Sequence, residues 1–258
     1  MMILNLDNEQ NLNFFGTEGS GNQQKCWIVK DDKDYLIKIN SSKYREASKE
    51  ESVSKILDAA KIPHAHYRKI EVVYDGKKKI ACITPKFTSK NENTYPLYMI
   101  IDENAYVHST NGKDRFSMIV NAVSKNTNIE RQAIIDYLMT MLVVDYLVIN
   151  PDRHLSNIEL ITDNKGNNRF APLFDFGQSF LGYERSIPDY TFKGLEQKSK
   201  ALPFSSNPEK NLINIKYAKN ICYRLFSSVD IESLSIPNFH KYVFKYRYNK
   251  LLNLKDSG

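Results

Sequence analysis

The sequence contains little cysteine, and this shortage narrows the classes of protein that it can encode. Three cysteines, Cys26, Cys82 and Cys222, are scattered along 258 residues, without a CxxC pair or a neighbouring histidine. The pattern predicts neither a disulfide framework nor a cysteine metal site, and it favours a reducing, cytoplasmic compartment.

Long apolar runs are also missing. The longest one, residues 138–149, is interrupted by Thr140 and Asp145 and is too short to span a bilayer. Residues 1–6 lack the basic flank of a signal peptide, and no internal repeat is present. With 41% hydrophobic and 26% charged residues, the sequence is typical of a globular protein without a membrane span.

What the sequence does have is a basic balance, with a formal net charge of +6. Such a balance favours polyanionic partners, including nucleic acid, anionic lipid and nucleotide phosphates. The excess is diffuse, however. Its one basic run, residues 77–79, follows Asp75-Gly76 and therefore predicts a solvated hairpin turn.

The C-terminal stretch 240–248 mixes aromatic and basic residues, as nucleic-acid-binding surfaces do. The large apolar side chains of this region nevertheless fall at helical spacing, which favours packing into a core. These side chains are Phe239, Tyr242, Val243 and Tyr246. Direct nucleic-acid binding without catalysis is therefore the weaker interpretation.

The first third of the sequence predicts strands around one helix. Four β-rich segments are bounded by turn residues. They are residues 26–30, 35–39, 70–74 and 80–84. Between the second and third, residues 45–60 repeat apolar side chains at 3.6-residue spacing, which predicts a helix.

Beyond residue 88 the pattern changes. Residues 88–95 are polar and predict a linker, and the segments after it are mainly helical. The predicted helices are 129–148, 212–226 and 237–252, with short strands at 158–162 and 170–174. We therefore predict an α+β fold of two lobes, a strand-rich lobe at 1–88 and a helix-rich lobe at 89–258, with a cleft between them.

The most informative residues follow the helix predicted at 129–148. Asp152 and Asn157 place a carboxylate and a carboxamide five residues apart in one loop, and Asp175 begins the tight corner Asp-Phe-Gly. Phosphoryl transfer from ATP requires oxygen ligands for Mg²⁺ and a group that orients the attacking hydroxyl. We assign Asp152 to orient the attacking hydroxyl, and Asn157 and Asp175 to bind Mg²⁺.

The residues beside these motifs predict supporting roles. We expect Arg153 to pair with a backbone carbonyl or with Asp175, and His154 to be structural. Asp145, on the preceding helix, is expected to cap a loop rather than react.

Lys38 lies in the second predicted strand, within Tyr-Leu-Ile-Lys-Ile. A lysine in a strand is ordinarily exposed, but here a glutamate on the following helix could hold its ammonium against nucleotide phosphates. Glu50 shares the helix face of the apolar residues and is the preferred partner. Glu51, about 100° away, and Glu46, one turn earlier, remain alternatives.

A glycine-rich stretch, Gly16-Thr17-Glu18-Gly19-Ser20-Gly21, precedes the first predicted strand. Closely spaced glycines allow backbone N–H groups to approach phosphate oxygens. The stretch is not a Walker A loop because no Gly-Lys-Ser/Thr follows, and a plain flexible turn is the alternative.

Together these motifs resemble a known family. Residues 150–157, Asn-Pro-Asp-Arg-His-Leu-Ser-Asn, and 172–177, Pro-Leu-Phe-Asp-Phe-Gly, are similar to those of the HipA-like serine/threonine kinases of bacteria. Residues 200–205, Lys-Ala-Leu-Pro-Phe-Ser, resemble a stretch after the metal motif in that family. The Asp-Arg-His…Asn…Asp-Phe-Gly pattern also looks like that of the phosphatidylinositol 3-/4-kinases.

The resemblance implies a bilobal protein-kinase-like fold, with a small strand-rich N-lobe and a larger helical C-lobe. It also implies ATP and Mg²⁺ as cofactors and a protein substrate with a Ser/Thr acceptor. Lys38 would hold the α- and β-phosphates, with Glu50 orienting it. The phosphates would be covered by Gly16, Gly19, Ser20 and Gly21. The adenine would lie near residues 84–87, including Lys86 and Phe87.

Ser20 and Thr17 are the predicted autophosphorylation sites, because the family tends to modify serines in this loop. A phosphate there would repel those of ATP.

This sequence departs from the patterns of the two similar families in two ways that affect its predicted partners and substrate. The glycine-rich stretch begins early, so the N-terminal subdomain that helps longer relatives contact their antitoxin is expected to be absent. An antitoxin or other small regulatory partner therefore stays open, as does secretion as an effector. The large helical domains of phosphoinositide kinases are expected to be absent too, which favours a protein substrate. A lipid or small-molecule kinase remains the alternative, with Arg185, Lys193, Lys198 and Lys200 able to meet an anionic headgroup.

Overall fold

The computed structural model describes residues 3–9, 12, 14–15, 23–41, 45–109, 112–180 and 209–255. The predictions for Gly16, Thr17, Gly19, Ser20 and Gly21 therefore lie outside the described residues. So do segment 200–205 and the basic residues at 185, 193 and 198.

Six strands among the described residues before residue 86 form one sheet in the order β1-β5-β6-β4-β3-β2. Its strands are β1 Ile3–Asn5, β2 Phe14–Phe15, β3 Lys25–Lys30, β4 Lys33–Ile39, β5 Arg68–Tyr74 and β6 Lys77–Pro85. Strand β1 pairs with β5 in parallel, and the other neighbours are antiparallel. The β4 strand lies inside the sheet, between β3 and β6.

Both predicted hairpins are confirmed. Asp31 and Asp32 join β3 to β4 with φ angles of 51° and 57°, and Asp75 and Gly76 join β5 to β6 with 55° and 65°. Two consecutive residues in the left-handed region match the twist of an antiparallel ribbon, and Asp and Gly tolerate that region best. The basic run at 77–79 accordingly opens strand β6 directly after the turn.

The predicted helix after β4 is confirmed as α1, Glu46–Ala59. Val53, Ile56 and Leu57 on its buried face join the large core of the helical region rather than the core of the sheet. Helix α1 therefore lies between the two regions and can carry a side chain into the space between them.

The remaining described helices are α2 Glu103–His108, α3 Gly112–Asn126, α4 Arg131–Val148, α5 Ile215–Phe226 and α6 Asn238–Leu252. Residues 141–148 of α4 are all buried, which makes α4 the central helix of this region. A three-stranded sheet, β7 Glu92–Pro96, β8 Glu159–Asp163 and β9 Asn168–Phe170, packs beside it in that order. The mixed α+β architecture is as predicted.

No helix among the described residues is long and apolar enough to cross a bilayer. The three cysteine thiols are free and buried, so no disulfide joins them.

Three local predictions need correction. The second half of the predicted linker forms β7, because its alternating residues pair with β8. The strand predicted at 170–174 ends at Phe170, and Leu173 instead makes a single parallel bridge with His64. The buried face predicted for α6 is partly wrong, because the observed face includes two polar residues that an apolar pattern does not reveal. That face is His240, Val243, Phe244, Arg247 and Leu251, whereas Tyr242 is 54% exposed.

Candidate active site

The loop after α4 is held in shape by hydrogen bonds from its own side chains. Asn150 donates from Nδ2 to Asp145 Oδ1 at 2.8 Å and accepts the backbone N–H of Asp152 at 3.2 Å. Asn157 donates from Nδ2 to the carbonyl of Asp152 at 3.0 Å. The peptide of Asp152 is therefore fixed on both sides. The Asn157 amide, having donated through nitrogen, has its oxygen available to a cation.

Arg153 connects this loop to two neighbouring segments. Its guanidinium binds both carboxylate oxygens of Asp145, at 3.0 and 3.1 Å. It also donates to the carbonyls of Asn157 and Phe174, each at 2.8 Å. Of the partners predicted for Arg153, the backbone carbonyls are therefore correct, while its carboxylate partner is Asp145 rather than Asp175. Asp145 holds the loop through Arg153 and Asn150.

Lys38, Glu50 and Asp175 meet in one cluster, in which Lys38 and Glu50 are buried and Asp175 is partly exposed. The Lys38 ammonium lies 2.9 Å from Glu50 Oε1 and 2.8 Å from Asp175 Oδ1. The second oxygen of Glu50 accepts the backbone N–H of Phe176 at 3.0 Å. The exposed-lysine alternative is excluded, because Lys38 is 2% exposed. Residues 37–39, at the end of β4, are buried on both faces of the sheet.

The observed contacts distinguish Glu50 from the two alternative glutamates, Glu51 and Glu46. Glu51 lies away from Lys38, where it accepts the backbone N–H of Lys69 at 3.2 Å and pairs with Lys55 at 3.6 Å. Glu46 is buried but binds Ser41 instead. Glu50 is thus the glutamate that contacts Lys38.

The pKa values of this cluster follow from its charges. Burial would lower the pKa of Lys38, but the neighbouring Asp175 and Glu50 carboxylates outweigh it and hold that pKa well above its usual value. Burial likewise acts to raise the pKa of Asp175, yet Lys38, Lys25 and Arg153 hold it far below its usual range. Both groups are therefore charged at neutral pH.

The corner at residues 175–177 packs closely against α1. Asp175 has a φ of 62°, a left-handed conformation that aspartate tolerates better than most residues. At Gly177 an added Cβ would lie 3.2 Å from Glu46 Cβ and 3.6 Å from Glu50 Oε1. The missing side chain at this position lets the corner pack closely against α1.

Asp152 differs from the buried cluster because its side chain is exposed. Partial desolvation by the surrounding protein still raises its pKa; His154 opposes this shift, whereas Asp175 adds to it. A carboxylate with a raised pKa and access to solvent is suited to accept a proton from an incoming group. His154 is exposed beside it.

The predicted adenine contacts lie along the end of β6. Phe87 packs against the Ala47, Ala65, Tyr67 and Cys82 cluster, with its ring 5.9 Å from that of Phe174. The Lys86 backbone N–H is donated to the Asp34 carbonyl at 2.9 Å, and its ammonium lies 3.4 Å from the Asp34 carboxylate. Phe87 therefore borders the Lys38 cluster, while Lys86 faces the β3–β4 hairpin.

Two site residues were missed by the sequence analysis. Lys25 is paired with Lys38 in the β3–β4 ladder, and its charge acts on both Asp152 and Asp175. The register of the predicted hairpin could have placed it on the face of Lys38. Tyr67, whose ring lies 4.6 Å from the Lys38 ammonium, carries no comparable signal in the sequence.

Comparison with known proteins identifies a matching family and two structures of similar fold. The model of the HipA-like C-terminal domain matches residues 17–229. The crystal structure of the proinflammatory kinase CtkA from Helicobacter pylori matches at a TM-score of 0.64 and 15% identity, covering 97% of this chain and 94% of that one. A comparison with curated protein sequences gives no match.

A second structure is similar at lower identity. It is the toxin–antitoxin complex of HipA, HipB and operator DNA from Shewanella oneidensis MR-1, matched at a TM-score of 0.53 and 10% identity. The match covers 91% of this chain and 63% of that one. At such identities the two structures show a shared, kinase-like fold.

Proposed function

The chain belongs to the HipA-like C-terminal domain family, and on that premise we propose that it is an ATP- and Mg²⁺-dependent protein kinase acting on serine or threonine hydroxyls. The observation that carries the proposal is the Lys38 ammonium held between Glu50 and Asp175, at 2.9 and 2.8 Å. One cation among two carboxylates leaves an excess of negative charge beside a lysine, an arrangement that suits a metal–phosphate pair.

In this proposal Lys38 binds the α- and β-phosphates, and Glu50 keeps its ammonium in place. The donor set fits a hard divalent cation, because Asp175 is ionised and the amide oxygen of Asn157 faces no protein donor among the contacts of the described residues. Asp175 and Asn157 would hold Mg²⁺, whose chemistry is to neutralise the charge on the transferred phosphoryl group. The positive charge of Lys25, which acts on Asp175, would add to phosphate binding.

Asp152 is assigned to the acceptor. Its backbone is fixed by Asn150 and Asn157, while its exposed carboxylate can reach a hydroxyl brought by a second protein. With its pKa raised, it is a better proton acceptor than an ordinary aspartate. We place the substrate cleft between residues 1–88 and 89–258, with adenine beside residues 84–87.

Finer features rest on the family resemblance. They are phosphate covering by the glycine-rich stretch, autophosphorylation at Ser20 or Thr17, a cytoplasmic location, and a toxin role with an antitoxin-type partner. The similar HipA chain was solved with HipB, which supports a search for such a partner.

The test is transfer of labelled γ-phosphate from ATP to the chain itself, to a generic protein and to phosphoinositide vesicles, with and without Mg²⁺. We expect Mg²⁺-dependent labelling of protein, reduced about 10²–10⁴-fold in Asp152→Asn. Asp102→Asn is the matched control, because Asp102 caps α2 through Oδ1, a role that asparagine also fills.

Labelling confined to the vesicles would replace the protein substrate with a lipid. Unchanged labelling in Asp152→Asn would overturn the assignment of Asp152. Mass spectrometry of the labelled chain would then locate the modified residue, expected at Ser20 or Thr17.

A further inference from the structure

A second group of ligand-bearing side chains lies at the far end of α1, away from the Lys38 cluster. Asp58 is in the last turn of α1, and His64 and His66 lie in the segment that leads to β5. Asp58 Oδ1 lies 3.1 Å from His66 Nδ1 and 3.6 Å from His64 Nε2. All three ligand atoms are within 4.8 Å of one another.

His64 is oriented as a ligand by its own backbone. Its Nδ1 lies 2.7 Å from the carbonyl of Ile62, which can only accept, so Nδ1 carries the hydrogen. The lone pair is therefore on Nε2, which points toward Asp58 and His66. A backbone carbonyl bound to one ring nitrogen is the usual support for a metal-binding histidine.

The Nε2 atom of His64 is also buried without a hydrogen-bond partner. His64 is 5% exposed. With its hydrogen on Nδ1, the ring presents the Nε2 lone pair to the Asp58 carboxylate 3.6 Å away, acceptor against acceptor. Such an arrangement is unfavourable unless a cation lies between the two atoms.

We propose that Asp58, His64 and His66 bind one divalent transition-metal ion, for which Zn²⁺ is the best match. Two imidazoles and one carboxylate suit Zn²⁺, whereas Mg²⁺ and Ca²⁺ prefer oxygen ligands alone. Tetrahedral zinc with bonds of about 2.0–2.1 Å separates its ligand atoms by about 3.3 Å, close to the two distances observed. Asp58 and His66 are 54% and 62% exposed, so both can adjust and water can complete the site.

A metal ion at this site would stabilise the segment that leads to Asp175. The backbone on both sides of His64 is bound to the segment before Asp175, with Ala65 N–H donating to Leu173 O at 2.9 Å and Leu173 N–H to Pro63 O at 3.0 Å. An ion at Asp58 and His64 would thus tie the end of the Glu50 helix to the chain that leads to Asp175. The inference goes beyond the proposed function and does not depend on it.

The experiment is a titration of the full chain, stripped with a chelator, with Zn²⁺ and with Co²⁺ as a spectroscopic probe, in millimolar Mg²⁺. We expect one Zn²⁺ per chain, a tetrahedral Co²⁺ spectrum that Zn²⁺ abolishes, and a rise in Tm with Zn²⁺. The variants His66→Gln and Asp58→Asn change exposed residues and should fold. Each should bind at least about 100-fold more weakly, more than the loss of a supporting partner costs.

His108→Gln is the matched control, because His108 is exposed and its Nδ1 lies 2.7 Å from the Asn104 carbonyl, outside the cluster. It should bind Zn²⁺ as the wild type does, and so should Asp175→Asn, which separates this site from the proposed activity. Absence of stoichiometric Zn²⁺ binding in the wild type would overturn the proposal. So would equal affinity in wild type and His66→Gln, because the cluster would then be a hydrogen-bonded group only.

Discussion

Two buried cations, Lys38 and Arg153, lie close to the corner at Asp175 and are held in different ways. Arg153 has one carboxylate partner, Asp145, bound through both oxygens, and its remaining contacts are backbone carbonyls. Lys38 has two carboxylate partners, Glu50 from α1 and Asp175 from the corner after β9. The first group is balanced in charge, whereas the second carries an excess negative charge.

This difference distinguishes a scaffold from a reactive site. The Arg153 guanidinium is bound by four fixed acceptors and positions the peptides of Asn157 and Phe174. Its contacts therefore hold the fold rather than a ligand. The Lys38 ammonium can exchange Asp175 for a phosphate, because Asp175 retains 24% side-chain exposure and a second oxygen. We therefore expect changes around Lys38 to affect activity, and changes around Arg153 to affect stability.

The largest expected effect is on activity, from Asp175→Asn. The substitution replaces a charged metal ligand with a neutral amide and removes a partner of Lys38, so phosphate transfer should fall by at least about 10³-fold, or several kcal/mol of transition-state stabilisation. The measurement is labelled-phosphate incorporation at saturating Mg-ATP. Asp32→Asn is the matched control, since Asp32 is exposed and has a similar φ of 57°. Equal activity in the two variants would contradict the role of Asp175.

The next effect is on stability, from Arg153→Met. The change leaves Asp145 buried without its ion-pair partner and should lower the free energy of unfolding by about 3–5 kcal/mol. Arg169→Met, which breaks the exposed pair with Glu92 at 2.9 Å, should cost about 0–1 kcal/mol. Urea denaturation of both variants provides the comparison, and similar losses would show that Arg153 is not a scaffold residue.

A smaller effect on activity is expected from Glu50→Gln. The amide still accepts the Phe176 N–H but no longer balances Lys38, so the ammonium should be misplaced and the rate should fall by about 10²-fold. The neighbouring change Glu51→Gln alters contacts with Lys55 and Lys69 and should stay within about threefold of wild type. Steady-state kinetics that rank the two variants in the opposite order would restore Glu51 as the partner.

The smallest effect is a displacement of the pH profile. Asp152 accepts a proton only when ionised, and its pKa is raised by desolvation ahead of the opposing His154. Activity is therefore present above this pKa and lost as the pH falls through it, at a higher pH than for an ordinary aspartate. Rates measured across the acid range, with folding checked at each pH, would test this. An acid limb at or below the usual aspartate pKa would contradict it.

Much of the local structure could be predicted because its causes are local. The turns at Asp31-Asp32 and Asp75-Gly76 fix two hairpins. Apolar spacing, with a proline after each helix, predicted α1 and α4 to within two residues. The α6 face was partly mistaken because buried His240 and Arg247 break the apolar pattern. Such residues are buried through partners elsewhere in the fold, and those partners leave no periodic trace in the helix itself.

The candidate site likewise contains residues that local contacts position and residues that distant contacts position. The loop holding Asp152 and Asn157 closes on itself through short-range hydrogen bonds, so its composition and spacing were informative. Lys86 and Phe87 were predicted together as adenine contacts, yet only Phe87 borders the Lys38 cluster. Their difference depends on the pairing of Lys86 with Asp34 in another strand.

By itself, the sequence determined the residue types that can carry phosphoryl transfer and the short elements that present them. Only the tertiary structure decided which glutamate meets Lys38, that Asp175 reaches it from 137 positions away, and that two histidines converge on Asp58. Side-chain periodicity tells which face of an element is buried. The identity of a partner depends on how distant elements pack, and that is settled only when the whole core forms.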